Sequence, residues 1–116
     1  MMALRILMVE DDAMLGPLVA GALVEEGYEV LLVPDGPAAL DILRSTAAID
    51  VVFSDVSMPN GISGIELLEH VDRLQPQARC IIASGYAKVQ LPPLPPRAVF
   101  LPKPYRIPQL VAALAS

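Results

Sequence analysis

The 116 residues are 54% hydrophobic and 18% charged with few aromatics, enough for one aliphatic core of Val, Leu, Ile and Ala and too little for a second domain. A formal charge of −5, with only 8 scattered Lys and Arg, argues against direct nucleic-acid binding by this chain, because phosphate neutralisation needs clustered cations. Cys80 is the single cysteine, which excludes an internal disulfide; it reads as a small core residue, and a reducing, cytoplasmic setting is expected.

Short runs rich in Val, Ile and Leu alternate with segments of helical period, the pattern of a parallel sheet covered on both faces. The first run, Leu4 to Val9, meets three acids at Glu10-Asp11-Asp12 and is too short for a signal peptide or membrane span. Met14, Leu15, Leu18, Val19, Ala22 and Leu23 then recur at helical spacing, with Gly27 as a stop signal. Glu29 to Val33 is the second strand. Asp35 as cap and Pro37 in the first turn announce a second helix carrying Leu40, Ile42 and Leu43. Val51 to Ser54 is the third strand, and a third helix runs from about Ser63 to Leu74, ended by Pro76. Arg79 to Ser84 is the fourth strand. Four prolines in Leu91-Pro92-Pro93-Leu94-Pro95-Pro96 then stand where a crossover helix is expected, each removing an N–H donor, so the fourth helix is expected to be short or disordered. Ala98 to Leu101 is the fifth strand, and Ile107 to Ala115 the last helix. The expectation is one α/β domain over residues 1–116, a doubly wound five-stranded parallel sheet of flavodoxin-like order 2-1-3-4-5.

Ligands of such a sheet bind outside the carboxyl ends of its strands, where strand order reverses. The first strand ends in Glu10-Asp11-Asp12, the third in Asp55, the fourth in Ser84-Gly85 and the fifth, after Pro102, in Lys103. With strands one and three as neighbours, Glu10 or Asp11 would face Asp55. Crowded carboxylates raise one another's pKa unless a cation intervenes, and Mg²⁺ (or Mn²⁺) is the hard, oxygen-seeking ion for such a cluster. Lys103 and the Ser84 hydroxyl suit phosphoryl oxygens, and a carboxylate can itself be a covalent acceptor.

These residues, in this order, resemble a response-regulator receiver domain of the chemotaxis-receiver type over essentially the whole chain. Ile6-Leu7-Met8-Val9-Glu10-Asp11-Asp12 is similar to the family's first strand and acidic pair, which gives Glu10 and Asp11 the metal role. Asp55 in Ser54-Asp55-Val56-Ser57-Met58-Pro59 matches the phosphorylated aspartate, itself also facing the metal, and Ser57 the position whose backbone carbonyl completes the metal shell and whose side chain modulates phosphate lifetime. Ser84 matches the hydroxyl that responds to phosphorylation, and Lys103-Pro104 the family's Lys-Pro pair, whose peptide bond is commonly cis. The resemblance implies a histidine kinase or histidine phosphotransfer protein as donor, an output partner the sequence does not name, and no turnover of an external substrate. Three departures stand out. The stretch Asn60-Gly61-Ile62-Ser63-Gly64 is one residue longer than the family's pattern. Phe100 replaces the hydroxyl-bearing switch aromatic. The proline run after Ser84-Gly85-Tyr86 resembles receivers with a reduced fourth helix, where Tyr86 would shield the acyl phosphate from water.

Plainer roles compete for some of these residues. Asp12 reads as a helix cap, and His70, beside Glu66 and Glu69, as part of a solvated face. A haloacid-dehalogenase-type phosphatase would also form a phosphoaspartate, but it requires an Asp-x-Asp pair after the first strand and a cap that this chain lacks. The alternative function is a phosphorylation-independent, receiver-like adaptor. The chain itself is either a stand-alone receiver or a fragment of a larger regulator or hybrid kinase.

Overall fold

In the computed structural model, which describes residues 3–45 and 48–115, the apolar runs become β1 (Arg5–Val9), β2 (Glu29–Val33), β3 (Val51–Asp55), β4 (Arg79–Ser84) and β5 (Ala98–Pro102). Residues 1 and 116, the expected limits of the domain, lie outside the described residues. Four helices are described, α1 (Leu15–Glu25), α2 (Gly36–Arg44), α3 (Gly64–Leu74) and α4 (Ile107–Ala115). All strand pairs are parallel and the order is β2-β1-β3-β4-β5, as expected. Both β3 and β5 run one residue further than the sequence indicated, so Asp55 closes its strand instead of following it.

Alternation along each strand sends successive side chains to opposite faces, and in β1, β3 and β4 both faces are buried, which is why those runs read as continuously apolar. Ile6, Met8, Phe53, Ile81, Ala83 and Leu101 meet Val19 and Leu23 of α1 and Leu110 and Leu114 of α4. On the other face, Leu7, Val9, Val52, Cys80 and Ile82 meet Ala39 and Leu43 of α2 and Ile65, Leu68 and Val71 of α3. Each aliphatic side chain fully removed from water contributes about 1.5–3 kcal/mol.

Helix ends follow their local chemistry. Gly27, at φ 99°, ends α1, with its N–H on the Val24 carbonyl (3.0 Å) and that of Tyr28 on the Leu23 carbonyl (3.1 Å), a glycine-dependent cap. The Asp35 carboxylate accepts the Ala38 N–H at 2.9 Å to cap α2. Ser63 and Glu66 cap α3 reciprocally: the Glu66 N–H donates to Ser63 Oγ at 3.1 Å, and the Ser63 N–H to Glu66 Oε1 at 3.2 Å.

Between β4 and β5 the only helical turn is the 3₁₀ segment Lys88–Gln90, so the crossover helix is short, as expected. The proline segment that follows works as a strap. Leu91 and Leu94, spaced at the three-residue repeat of an extended polyproline conformation, pack with Phe100 on the α2/α3 face of the sheet. A turn with the Ala98 N–H on the Pro95 carbonyl (2.9 Å) delivers the chain into β5, and Arg97 pairs with Asp72 of α3 at 3.1 Å. Two leucines and one ion pair thus cover an area that a helix would otherwise cover.

Candidate functional site

Three backbone hydrogen bonds, each just past a strand end, fix the polar residues at the carboxyl edge. The Glu10 N–H donates to the Val33 carbonyl (3.0 Å), the Val56 N–H to the Ala83 carbonyl (3.0 Å) and the Lys103 N–H to the Ser84 carbonyl (2.8 Å). Sheet pairing therefore continues by one residue into the loops and sets where Glu10, Asp55, Ser84 and Lys103 emerge. Ser54 adds a local brace: its buried hydroxyl donates to the Asp55 carbonyl at 2.8 Å and also lies 3.2 Å from Met58 Sδ.

One carboxylate oxygen from each of Glu10, Asp11 and Asp55 lies within 4.8 Å of the other two. Glu10 and Asp55 are buried, 8% and 7% exposed, while Asp11 is exposed. Burial pushes the Glu10 carboxyl up to about 7, the neighbouring Asp55 carboxylate adds to the rise, and the Asp12 N–H on Glu10 Oε2 (3.1 Å) opposes it. Desolvation therefore outweighs the like-charge repulsion that the sequence emphasised. The same negative field reaches Tyr105, whose phenol is pushed up to about 12 by burial first and then by Asp55 and Glu10. Lys103 supplies the opposing charge, with Nζ 2.6 Å from Asp55 Oδ1.

The remaining expected residues fall around this centre. Ser57, Ser84, Gly85, Tyr86 and Lys103 border, with Asp55, a small cavity of about 70 Å³. The Ser84 hydroxyl, in a residue 4% exposed, accepts the Tyr86 N–H at 2.9 Å, and the Tyr86 ring is largely exposed. Phe100 is not at the cavity; it is half-buried and packs, as Leu91 and Leu94 do, against the core on the α2/α3 face. Asp12 caps, as expected: its Oδ1 accepts the N–H of Met14 (2.8 Å) and Leu15 (2.9 Å), which hold its carboxyl below the usual range. The Lys103–Pro104 peptide is cis.

Sequence reading missed Gly64. A methyl group there would overlap the Asp55 carbonyl, and the Gly64 N–H donates to the Val56 carbonyl at 2.8 Å, so α3 starts in direct contact with the strand end that carries Asp55. Its signal was a glycine opening an amphipathic helix nine residues after Asp55. A groove of about 600 Å³ between α1 and the β5–α4 connection, lined by Leu15, Leu18, Val19, Pro104 and Ile107, reaches Lys103.

The donor set fits a hard divalent cation: three carboxylates converge, two of them buried, with one lysine against them. A parallel 2-1-3-4-5 sheet with this edge defines a receiver-type signalling domain. The sequence profile of the response regulator receiver domain matches residues 6–115, and the chain belongs to that family. It is 31% identical over 110 residues to the response regulator receiver protein CpdR of Brucella abortus, covering 92% of this chain and 90% of CpdR. It is 47% identical over 70 residues to an uncharacterised transcriptional regulatory protein, YrkP, of Bacillus subtilis, covering 60% of this chain and 29% of YrkP. The match to the transcriptional regulatory protein CpxR of Escherichia coli, 34% identical, covers 95% of this chain and 47% of CpxR. The chain thus spans less than half of these two longer relatives. Among solved structures it is similar to the receiver domain of the hybrid histidine kinase CckA (38% identity, TM-score 0.82, 96% and 95% of the two chains). It is also similar to TrrA of Thermotoga maritima in complex with Mg²⁺ and BeF (27% identity, TM-score 0.83, 97% of this chain and 96% of that one). Among the described residues no helix is long and apolar enough to cross a membrane.

Proposed function

We propose that this receiver takes a phosphoryl group onto Asp55 from the phosphohistidine of a histidine kinase or phosphotransfer protein, with Mg²⁺ held by Glu10, Asp11 and Asp55 and by the Ser57 carbonyl. The observation that carries the reading is the contact of Lys103 Nζ with Asp55 Oδ1 at 2.6 Å beside two further carboxylates. When bound, the cation neutralises the carboxylates and offsets charge on the phosphoryl oxygens. An Asp55 carboxylate oxygen attacks phosphorus, the P–N bond breaks, and the imidazole departs with the bonding pair and takes up a proton; the product is an acyl phosphate. Lys103 stabilises the oxygens that gain charge, and Ser84 gives up the Tyr86 N–H contact to donate its hydroxyl to one of them.

That exchange of partners is also the signal. Ser84 and Lys103 are joined through the backbone at 2.8 Å, and Ser84 leads directly to Tyr86 and the strap, whose leucines pack against the same core cluster as Phe100. Drawing both residues to a phosphate changes the strap face and its affinity for an output partner. Phe100 couples by packing, since it has no hydroxyl. The chain turns over no external substrate, and water releases the phosphoryl group. Tyr86, at the cavity rim, limits that water.

The test is incubation with phosphoramidate and Mg²⁺ followed by intact mass. Wild type gains one phosphoryl group and Asp55→Asn gains none; no adduct on wild type, or one persisting in Asp55→Asn, overturns the reading.

A further inference from the structure

The connection from β3 to α3, residues 56–63, carries the extra residue relative to the family's pattern, and it is held at two places. At its base the Gly64 N–H meets the Val56 carbonyl at 2.8 Å. At its crest Asn60 adopts φ 64°, a conformation that asparagine tolerates better than most residues, followed by Gly61 at φ 117°. This turn aims the Asn60 amide at α2: Nδ2 donates to Asp35 Oδ2 at 2.8 Å, while Oδ1 of the same carboxylate caps α2 through Ala38. Ile62 lies so close over Gly36 that a methyl group on Gly36 would overlap it. The β2–α2 junction contributes no residue to the acidic pocket, yet it anchors the loop whose Ser57 borders the cavity beside Asp55.

We propose that Asn60 is a positioning residue for cation binding: its clamp on Asp35 holds the β3–α3 loop so that Ser57 stands ready beside Asp55. The inference rests on the reading that Ser57 and the three carboxylates take a divalent cation. A loop ordered before binding loses less entropy when the ion arrives, so the clamp raises affinity without touching the ion. The charged carboxylate makes the Asn60–Asp35 bond a charge-assisted one, stronger than an ordinary loop contact.

Two variants separate the clamp from its surroundings. Asn60→Gly keeps the positive φ at no steric cost and removes the amide. Asp35→Ser keeps a good α2 cap and removes the oxygen that Asn60 reaches. The full chain, its two single variants and the double variant are titrated with Mg²⁺, followed by the amide shifts of Asp55 and Ser57, and each is melted without metal. Each single variant weakens Mg²⁺ binding about 10-fold, the low end for residues that support metal ligands from behind. The double variant loses no more than either single, because both remove one bond. Wild-type Mg²⁺ affinity in Asn60→Gly overturns the inference even if its melting temperature falls, as do additive losses in the double variant. Wild type that shows no Mg²⁺ shift at all overturns the underlying reading of the site instead.

Discussion

Lys103 Nζ stands 2.6 Å from Asp55 Oδ1, and the backbone of Lys103 is bonded at 2.8 Å to Ser84, whose strand neighbours the one ending in Asp55. The lysine is therefore placed by the β4–β5 ladder and aimed by charge. Lys103→Met is expected to slow phosphorylation by phosphoramidate about 10²-fold or more, the usual effect of deleting one donor to developing charge. Lys103→Arg recovers part of the rate at most, because a planar fork replaces a compact point charge. Single-turnover kinetics read by mass decide this, and a wild-type rate in Lys103→Met removes the lysine from the mechanism.

Glu10 gives the site a pH dependence. Its carboxyl is raised to about 7 in the fold, against 4.5 for an ordinary glutamate, so between those values the folded state binds more protons than the unfolded one. Its contribution then favours the metal-free fold at low pH and is lost as pH rises towards 7. The melting temperature of the metal-free chain should fall over that window more steeply than that of Glu10→Gln. Mg²⁺ affinity has the opposite sense, weakening below pH 7 as a proton competes with the cation. Parallel pH profiles in wild type and Glu10→Gln would contradict both expectations.

Gly64 touches the Asp55 carbonyl, so any side chain there displaces either α3 or the end of β3. Gly64→Ala should destabilise the domain by about 1–3 kcal/mol, as overpacking does, and lower its melting temperature by about 4–8 °C for each kcal/mol. Adduct formation at Asp55 should slow in the molecules that remain folded. Calorimetry with the phosphoramidate assay on the same sample reads both.

Leu18 is 70% exposed and lines the apolar groove that reaches Lys103. On the proposed reading, a protein donor brings its histidine to Asp55 past this lining, whereas a small donor need not. Leu18→Arg is expected to reduce transfer from a phosphorylated histidine phosphotransfer protein about 10-fold or more, the effect of losing an interface anchor, and to leave the phosphoramidate rate unchanged. Equal effects on both donors would show a damaged site and not a docking surface.

Tyr86 is 61% exposed at the rim of the cavity beside Asp55. Removing the ring in Tyr86→Ala should shorten the lifetime of the acyl phosphate several-fold by admitting water. The decay of the adduct mass after the donor is withdrawn measures it; an unchanged half-life ends the shielding role.

The strands and most helix boundaries were legible because apolar runs, caps and prolines act locally. Asp35, Gly27, Ser63 and Pro76 each mark an end through chemistry contained within a few residues. The site residues could be named because a parallel sheet sends every strand's exit to one edge, so Glu10, Asp55, Ser84 and Lys103 shared a place before any distance was known. The tertiary structure alone decided what each does there. Burial, which depends on neighbours far away in the chain, raises Glu10 more than the Asp55 carboxylate does. Gly64 matters because of a contact with Asp55, and Asn60 because of one with Asp35, 25 residues away. The prolines told that the fourth helix would be short or disordered, but not that Leu91 and Leu94 would pack against the core in its place. Sequence carries the period and the punctuation; the close approach of distant residues exists only once the chain has closed on itself.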